Sequence, residues 1–289
     1  MYGRQPPATV DLKIKMTSKA ASPGFPSAVA DQARPVTIRR VTTQAEYEEC
    51  IRIQRDTWGR QFTETVPATI LRVSQEVGGI TAAAFDADGE MLGFVFGMTG
   101  IRNGELAHWS DMLAVRADVR NLGLGKRLKQ YQRELLLEIG VHTMYWTYDP
   151  LVARNAYLNL EQLGARPVEY RLNYYGDDTG SVMHTALGTD RFIVAWKLDE
   201  PARPPRTHDD WLDVPIIASD RNAVLPEAAR VRIAIPNDIF AVVDSDSHAA
   251  TAWREVTRAA LVTYLDRGYV VAGFMRSNEL SPPTYLLQR

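Results

Sequence analysis

The run Val115-Arg116-Ala117-Asp118-Val119-Arg120-Asn121-Leu122-Gly123-Leu124-Gly125-Lys126 carries the strongest chemical signal in the chain. An apolar strand-like stretch ends, the backbone turns through two glycines, and a helical pattern begins. Glycine permits positive φ and close approach of a ligand to the backbone. The unpaired N–H groups at a helix start, aided by the helix dipole, form an anion site. Arg120 and Lys126 add positive charge beside it, so the chemistry expected is phosphate or pyrophosphate binding. The P-loop pattern fails, because Arg120 stands where its first glycine belongs and Arg127 where Ser or Thr must follow the lysine. The dinucleotide fingerprint is disfavoured by Leu128, three residues after Gly125. A glycine-rich turn without a ligand stays open at this point.

Composition narrows the classes. The chain has 289 residues, 45% hydrophobic and 24% charged, with a formal net charge of -2. That is the balance of a globular protein and calls for neither nucleic acid nor a membrane surface. Cys50 is the single cysteine, which excludes an intramolecular disulfide and fits a cytoplasmic setting. Its expected role is a small buried residue. The five histidines, His108, His142, His184, His208 and His248, lack metal-ligand spacing, and no metal is expected. No run reaches the ~18 apolar residues of a membrane span. Residues 1–35 are rich in Ala, Ser, Pro and Gly and read as a disordered extension, with Met16 an alternative start.

The elements that must hold the turn follow from periodicity. Val36 to Arg39 alternates like a strand, and Thr43 with Glu46 forms a capping box for a helix ending near Gly59. A short helix is expected from Pro67 to Val77. Ile80 to Phe85 and Met91 to Met98 form a hairpin around Asp86-Ala87-Asp88-Gly89, and Leu106 to Val115 is a third strand. The helix after the turn runs from Gly125 to Ile139, with Leu128, Tyr131, Leu135, Leu136 and Ile139 on one face. A strand from Val141 to Tyr148, a helix from Asn155 to Leu163 and strands at Val168 to Tyr174 and Phe192 to Leu198 complete the set. The fold class expected is mixed α/β, a central mixed sheet flanked by helices over residues 36–200. After a linker at Pro201 to Pro205, residues 201–289 read as a smaller C-terminal β-α-β-β portion. Its helix from Ala249 to Leu265 carries Trp253, Val256, Ala260, Leu261 and Tyr264 on its apolar side.

From Val36 to Leu198 the chain resembles the GNAT superfamily of acyltransferases, whose Arg/Gln-x-x-Gly-x-Gly/Ala turn Arg120 to Gly125 matches without a gap. The resemblance extends to a subgroup with Trp146-Thr147-Tyr148-Asp149-Pro150-Leu151, Asn155-Ala156, Asn159-Leu160, Leu163-Gly164-Ala165 and Asn173-Tyr174-Tyr175-Gly176. Some members of it are associated with N-acylation of amino acids, succinylation included. The resemblance implies acyl-CoA as cosubstrate, acetyl-CoA or succinyl-CoA, with no metal. It implies that Leu113 and Val115 lend backbone groups to the pantetheine arm. Backbone N–H groups of Arg120, Asn121, Leu122, Gly123, Leu124, Gly125 and Lys126 would hold the pyrophosphate.

Acylation of an amine needs a base for its proton, and the leaving thiolate benefits from an acid. Here the chain departs from the family. The glutamate common on the strand before the turn is replaced by Trp109, and the tyrosine four residues before the helix-ending glycine by Leu160. Asp111, on the strand face of Trp109 by strict alternation, is the preferred base, with His108 on the other face as a second candidate. Tyr157 is the preferred acid, with Tyr148 an alternative. Asn155 and Asn159, four apart, can face the cofactor or substrate. Tyr170, Tyr174 and Tyr175 could line an acceptor pocket or pack on strands, and Arg171 or Arg191 could bind a carboxylate.

The function expected is transfer of an acyl group from acyl-CoA to a small-molecule amine, amino acids among the acceptors. Self-association into a homo-oligomer is left open. Two other readings stand beside it. One is a catalytically inactive module of this fold that binds CoA or acyl-CoA. The other is an interaction protein that docks a partner on the Trp253 and Tyr264 helix.

Overall fold

Both faces of the central sheet are apolar, and each is covered by helix. In the computed structural model, which describes residues 35–120, 122–176, 179–181, 187–201, 209–217, 225–278 and 281–289, the first strands are β1 (Thr37–Arg40), β2 (Ile80–Phe85), β3 (Met91–Arg102) and β4 (Glu105–Val115). Every residue of β2 is buried. Ile80, Ala82 and Ala84 join one core, whereas Ala83 and Phe85 join another on the opposite face. Helices α1 (Gln44–Trp58) and α2 (Ala68–Glu76) supply Tyr47, Cys50, Ile53 and Leu71 to the second core. Thr43 and Glu46 close the expected capping box at the start of α1. Helix α3 (Leu124–Glu138) supplies Leu124, Leu128 and Leu136 to the first core, whereas Ile139, expected on that face, is exposed.

The chain continues through β5 (Thr143–Tyr148), α4 (Ala153–Ala156), a π-helical stretch Tyr157–Gln162, β6 (Arg166–Arg171) and β7 (Arg191–Lys197). The seven strands lie in the order β1-β2-β3-β4-β5-β7-β6. All neighbours are antiparallel except β4 and β5, which are parallel and pair only at His108 with Met144 and Trp109 with Tyr145. The expected helix from Asn155 to Leu163 thus changes its winding at Tyr157, and the strand expected to reach Tyr174 ends at Arg171 in a turn.

A second sheet, β10-β11-β9-β8, is built from β8 (Ile216–Ile217), β9 (Arg230–Ala234), β10 (Val270–Met275) and β11 (Thr284–Gln288). Helices α5 (Ile239–Ser245), absent from the sequence expectation, and α6 (Ser247–Asp266) pack with it. Residues Pro35–Arg289 cluster as one compact unit, and Val231, Tyr264 and Tyr285 of the later elements share a core with Trp146 and Phe192 of the first sheet. The apolar side of α6 is covered by the chain itself: Tyr264 is fully buried and Trp253 packs on the same core. Residues 1–34 of the expected 1–35 extension, and residues 202–205 of the expected Pro201 to Pro205 linker, fall outside the described residues.

One irregularity places the site. Across β3 and β4 the register steps from Phe96 opposite Met112 to Gly97 opposite Ser110, so Asp111 is the extra residue of a β-bulge. The phase of the strand flips there. His108 and Ser110 reach Gln132 of α3, yet Met112 and Ala114 join the core under α1 and α2. Gly97 faces the bulge with no room for a side chain: an added Cβ would lie 2.2 Å from His108 Nε2 and 2.5 Å from the Trp109 carbonyl oxygen. Gly97→Ala is therefore expected to cost about 1–3 kcal/mol of stability, seen as a lower urea midpoint. An unchanged midpoint would contradict a tightly packed bulge.

Candidate active site

Where β4 and β5 stop pairing, their continuations line a cleft of about 1130 Å³. Leu113 and Val115 line it from β4, Trp146 and Tyr148 from β5, and the glycine turn closes one end. Gly123 caps α3 in the left-handed conformation at φ 72°, which explains glycine there. The first intrahelical bond runs from Arg127 N–H to the Gly123 carbonyl at 3.2 Å, so the N–H groups of Leu124, Gly125 and Lys126 have no acceptor within the helix. Gly125 opens on the cleft, and an added Cβ there would meet only the side chains of Leu113 and Leu158, at 3.7 and 3.8 Å.

Of the cofactor residues read from sequence, Leu113, Val115, Arg120, Gly123, Leu124, Gly125, Lys126 and Asn155 all line this cleft. Leu122 is exposed and does not line it, and Asn121 lies outside the described residues. Asp111 and Tyr157 line the same cleft, from β4 and from the π-helical stretch. Asp111 opens to the cleft, yet protein crowds it. Lost solvation chiefly raises its carboxyl pKa, Glu64 adds to the rise, and Lys129 and the Trp109 indole oppose it. Such an aspartate is a stronger base than an exposed one.

His108 is differently placed. It is fully buried, and burial pushes its pKa down to about 3, with Lys129 adding repulsion. Gln132 donates its side-chain N–H to His108 Nε2 at 3.0 Å while accepting from the Ser110 hydroxyl at 2.8 Å. That leaves the proton on Nδ1, facing Thr99 Oγ1 at 2.9 Å, whose hydroxyl donates to the Gly78 carbonyl at 2.6 Å. Both ring nitrogens are engaged within the protein, so His108 braces β3, β4 and α3. Tyr148 lines the cleft, but burial raises its phenol pKa, and its hydroxyl lies 3.4 Å from that of Tyr285. Asn155 and Asn159 both line the cleft, and the buried Asn159 accepts from the Trp146 indole at 3.2 Å. Burial also raises the Cys50 thiol pKa, as befits a core residue.

Of the aromatic candidates, Tyr175 lines the cleft and bonds Thr147 Oγ1 at 2.8 Å. Tyr170 instead packs on Phe192 and donates to Asp190 at 2.8 Å, and Tyr174 is exposed. Arg171 pairs with Glu169 at the surface, whereas Arg191 is buried against the cleft, 3.5 Å from Asp149.

Lys129 was not anticipated. It sits on α3 one turn after Gly125, is 2% exposed, and lines the cleft with its ammonium 4.0 Å from the centre of the Trp146 ring. Burial drives its pKa well below the usual lysine range, with Asp111 opposing. The signal was present in sequence: a lysine beside Leu128 and four residues before Arg133 falls on the face that carries Gln132 and Leu136 inward.

No model of a protein family and no curated protein matches the chain. Solved structures do. A GNAT superfamily phosphinothricin acetyltransferase from Sinorhizobium meliloti, in complex with AcCoA, is 17% identical, with 59% of this chain and 93% of that one covered and a TM-score of 0.46. The ribosomal-protein-S18-alanine N-acetyltransferase from Escherichia coli is 19% identical, with 60% and 100% covered and a TM-score of 0.43. Ard1 from Thermoplasma volcanium is 19% identical, with 57% and 99% covered and a TM-score of 0.43.

The buried lysine has a measurable consequence. A lysine whose folded pKa lies below its unfolded value of about 10.4 binds fewer protons folded than unfolded. It therefore subtracts stability at neutral pH, and the deficit closes as pH rises towards the unfolded value. Lys129→Met is expected to raise the melting temperature at pH 7, with a smaller gain at pH 9.5 (about one unit below that value). A variant less stable than wild type at pH 7 would contradict this.

Proposed function

We propose that the protein is an acyl-CoA-dependent N-acyltransferase of the GNAT type, acting on a small-molecule amine, amino acids among the acceptors. The observation that carries the reading is one cleft in which parted strands, an N–H-lined glycine turn and a carboxylate of raised pKa converge. The edge of β4 at Leu113 and Val115 offers backbone groups to a peptide-like pantetheine arm, as a strand edge does to a peptide. The α3 turn offers N–H groups and positive charge to a pyrophosphate. The thioester would then lie between Asp111 and Tyr157.

In the reaction proposed, Asp111 takes a proton from the acceptor amine, directly or through water. The amine nitrogen attacks the thioester carbon, the carbon–sulfur bond breaks, and Tyr157 gives its proton to the leaving thiolate. Proximity of the two reactants supplies much of the rate, ~7–11 kcal/mol in favourable systems. Acetyl-CoA and succinyl-CoA are the donors proposed. The cytoplasm, with its CoA pool, is the setting proposed on the strength of the lone cysteine. Among the described residues, no helix is long and apolar enough to cross a membrane.

A second reading is favoured by Trp109 and Leu160, which stand where the GNAT family most often has its base and acid: a protein that binds CoA without turnover. Calorimetry and a thiol-release assay separate the two. Wild type is expected to bind CoA, and Gly125→Trp, which fills the mouth of the turn, to lose binding while staying folded. With a panel of amines and acetyl- or succinyl-CoA, wild type is expected to release thiol. Asp111→Asn should lower kcat about a hundredfold or more and remove the acidic limb of the pH profile. CoA bound without thiol release for any amine would favour the inert module. No CoA binding at all would reject both.

A further inference from the structure

The second sheet reaches the cleft. Asn237 and Phe240, at the start of α5, and Arg276, directly after β10, line the same cavity as the glycine turn. They are held there firmly. The Phe274 backbone N–H donates to Glu161 Oε1 at 2.7 Å, and the Tyr285 hydroxyl donates to the Pro150 carbonyl at 2.8 Å. Arg254 of α6, itself buried, bonds Asp149 at 2.5 Å and the Leu187 carbonyl at 2.8 Å.

These contacts set the position of two arginines. The Arg276 guanidinium lies over the Tyr157 ring, 4.8 Å from its centre, and the Arg154 guanidinium lies 5.7 Å from the centre of the Phe240 ring. Tyr157 follows Arg154 by three residues, which is less than one helical turn. Arg120 of the glycine turn is close enough to Arg154 for its charge to lower the Arg154 pKa, second to lost solvation. Among the described residues, none of Arg120, Lys126, Arg154 and Arg276 forms an ion pair. All four cations line the cleft, with the Asp238 carboxylate at the start of α5 partly offsetting the charge at Arg154, and the segment after β10 contributes Arg276.

On this geometry, and resting on the acyl-CoA reading above, we infer that the second sheet with α5 forms a built-in wall of the cofactor site, in which Arg276 binds a phosphate group of CoA. Planar guanidinium groups held by stacking are preorganised for phosphate oxygens. Tyr157 fixes Arg276 in this way, and Phe240 does the same for Arg154.

The test uses the full chain. CoA and 3′-dephospho-CoA are titrated calorimetrically into wild type, Arg276→Gln, Arg276→Lys and the surface control Arg171→Gln, with circular dichroism melts confirming the fold. Arg276→Gln is expected to raise the Kd for CoA about tenfold, Arg276→Lys by less, and Arg171→Gln not at all. A loss that vanishes with 3′-dephospho-CoA assigns Arg276 to the 3′-phosphate, and a loss that persists assigns it to the pyrophosphate. Either outcome supports the wall. Wild type and Arg276→Gln binding CoA equally would overturn the inference and leave the acyl-CoA reading standing. No CoA binding by wild type would overturn both.

Discussion

The candidate site depends on the incomplete pairing of two parallel strands. β4 and β5 share only two residue pairs, and beyond them each strand presents unpaired backbone to the space between. Unpaired backbone in a sheet interior is costly unless a ligand, water or side chain satisfies it. The bulge at Asp111 lies at the point of parting, which ends regular pairing and turns a carboxylate towards the gap. Gly97, without a side chain, and His108, held by Thr99 and Gln132, keep that bulge in place from behind. The scaffold behind the cleft is thus rigid, whereas the cleft itself is open.

The cleft is lined by charge of both signs. Arg120, Lys126, Arg154 and Arg276 line it together with Asp111, whose carboxyl pKa the nearby Glu64 charge helps to raise. Lys129, buried and near enough to Asp111 for their charges to interact, loses solvation as the aspartate does, which lowers its own pKa and raises that of Asp111. Asp149 and Asp190 are committed elsewhere. They tie β5 and β7 to Arg254 and Arg258 of α6, which docks the second sheet against the first.

Local features were legible in the sequence because they rest on local physics. The capping box at Thr43 and Glu46, the limits of β2 and the strand-turn-helix at Val115 to Lys126 follow from residue type and spacing alone. Strict alternation put Asp111 on the face of Trp109, and it could not register the bulge, which depends on how β3 and β4 align. The winding change at Tyr157 was hidden for a similar reason, since the pattern of Asn155 to Leu163 suits an ordinary helix. The charge of Lys129 conceals its place on the inward face of α3, where its neighbours Leu128 and Gln132 are fully buried. The link from Asp149 to Arg254 spans 105 positions, and no local pattern announces it. Arg276 and Phe240 reach the cleft only through that docking.

A crystal structure of the full chain grown with saturating CoA tests the central claim most directly. The account predicts pyrophosphate oxygens within hydrogen-bonding distance of the N–H groups of Leu124, Gly125 and Lys126. It also predicts the pantetheine arm between β4 and β5, with its thiol near Asp111. CoA bound elsewhere on the chain, or an empty cleft under those conditions, would contradict it.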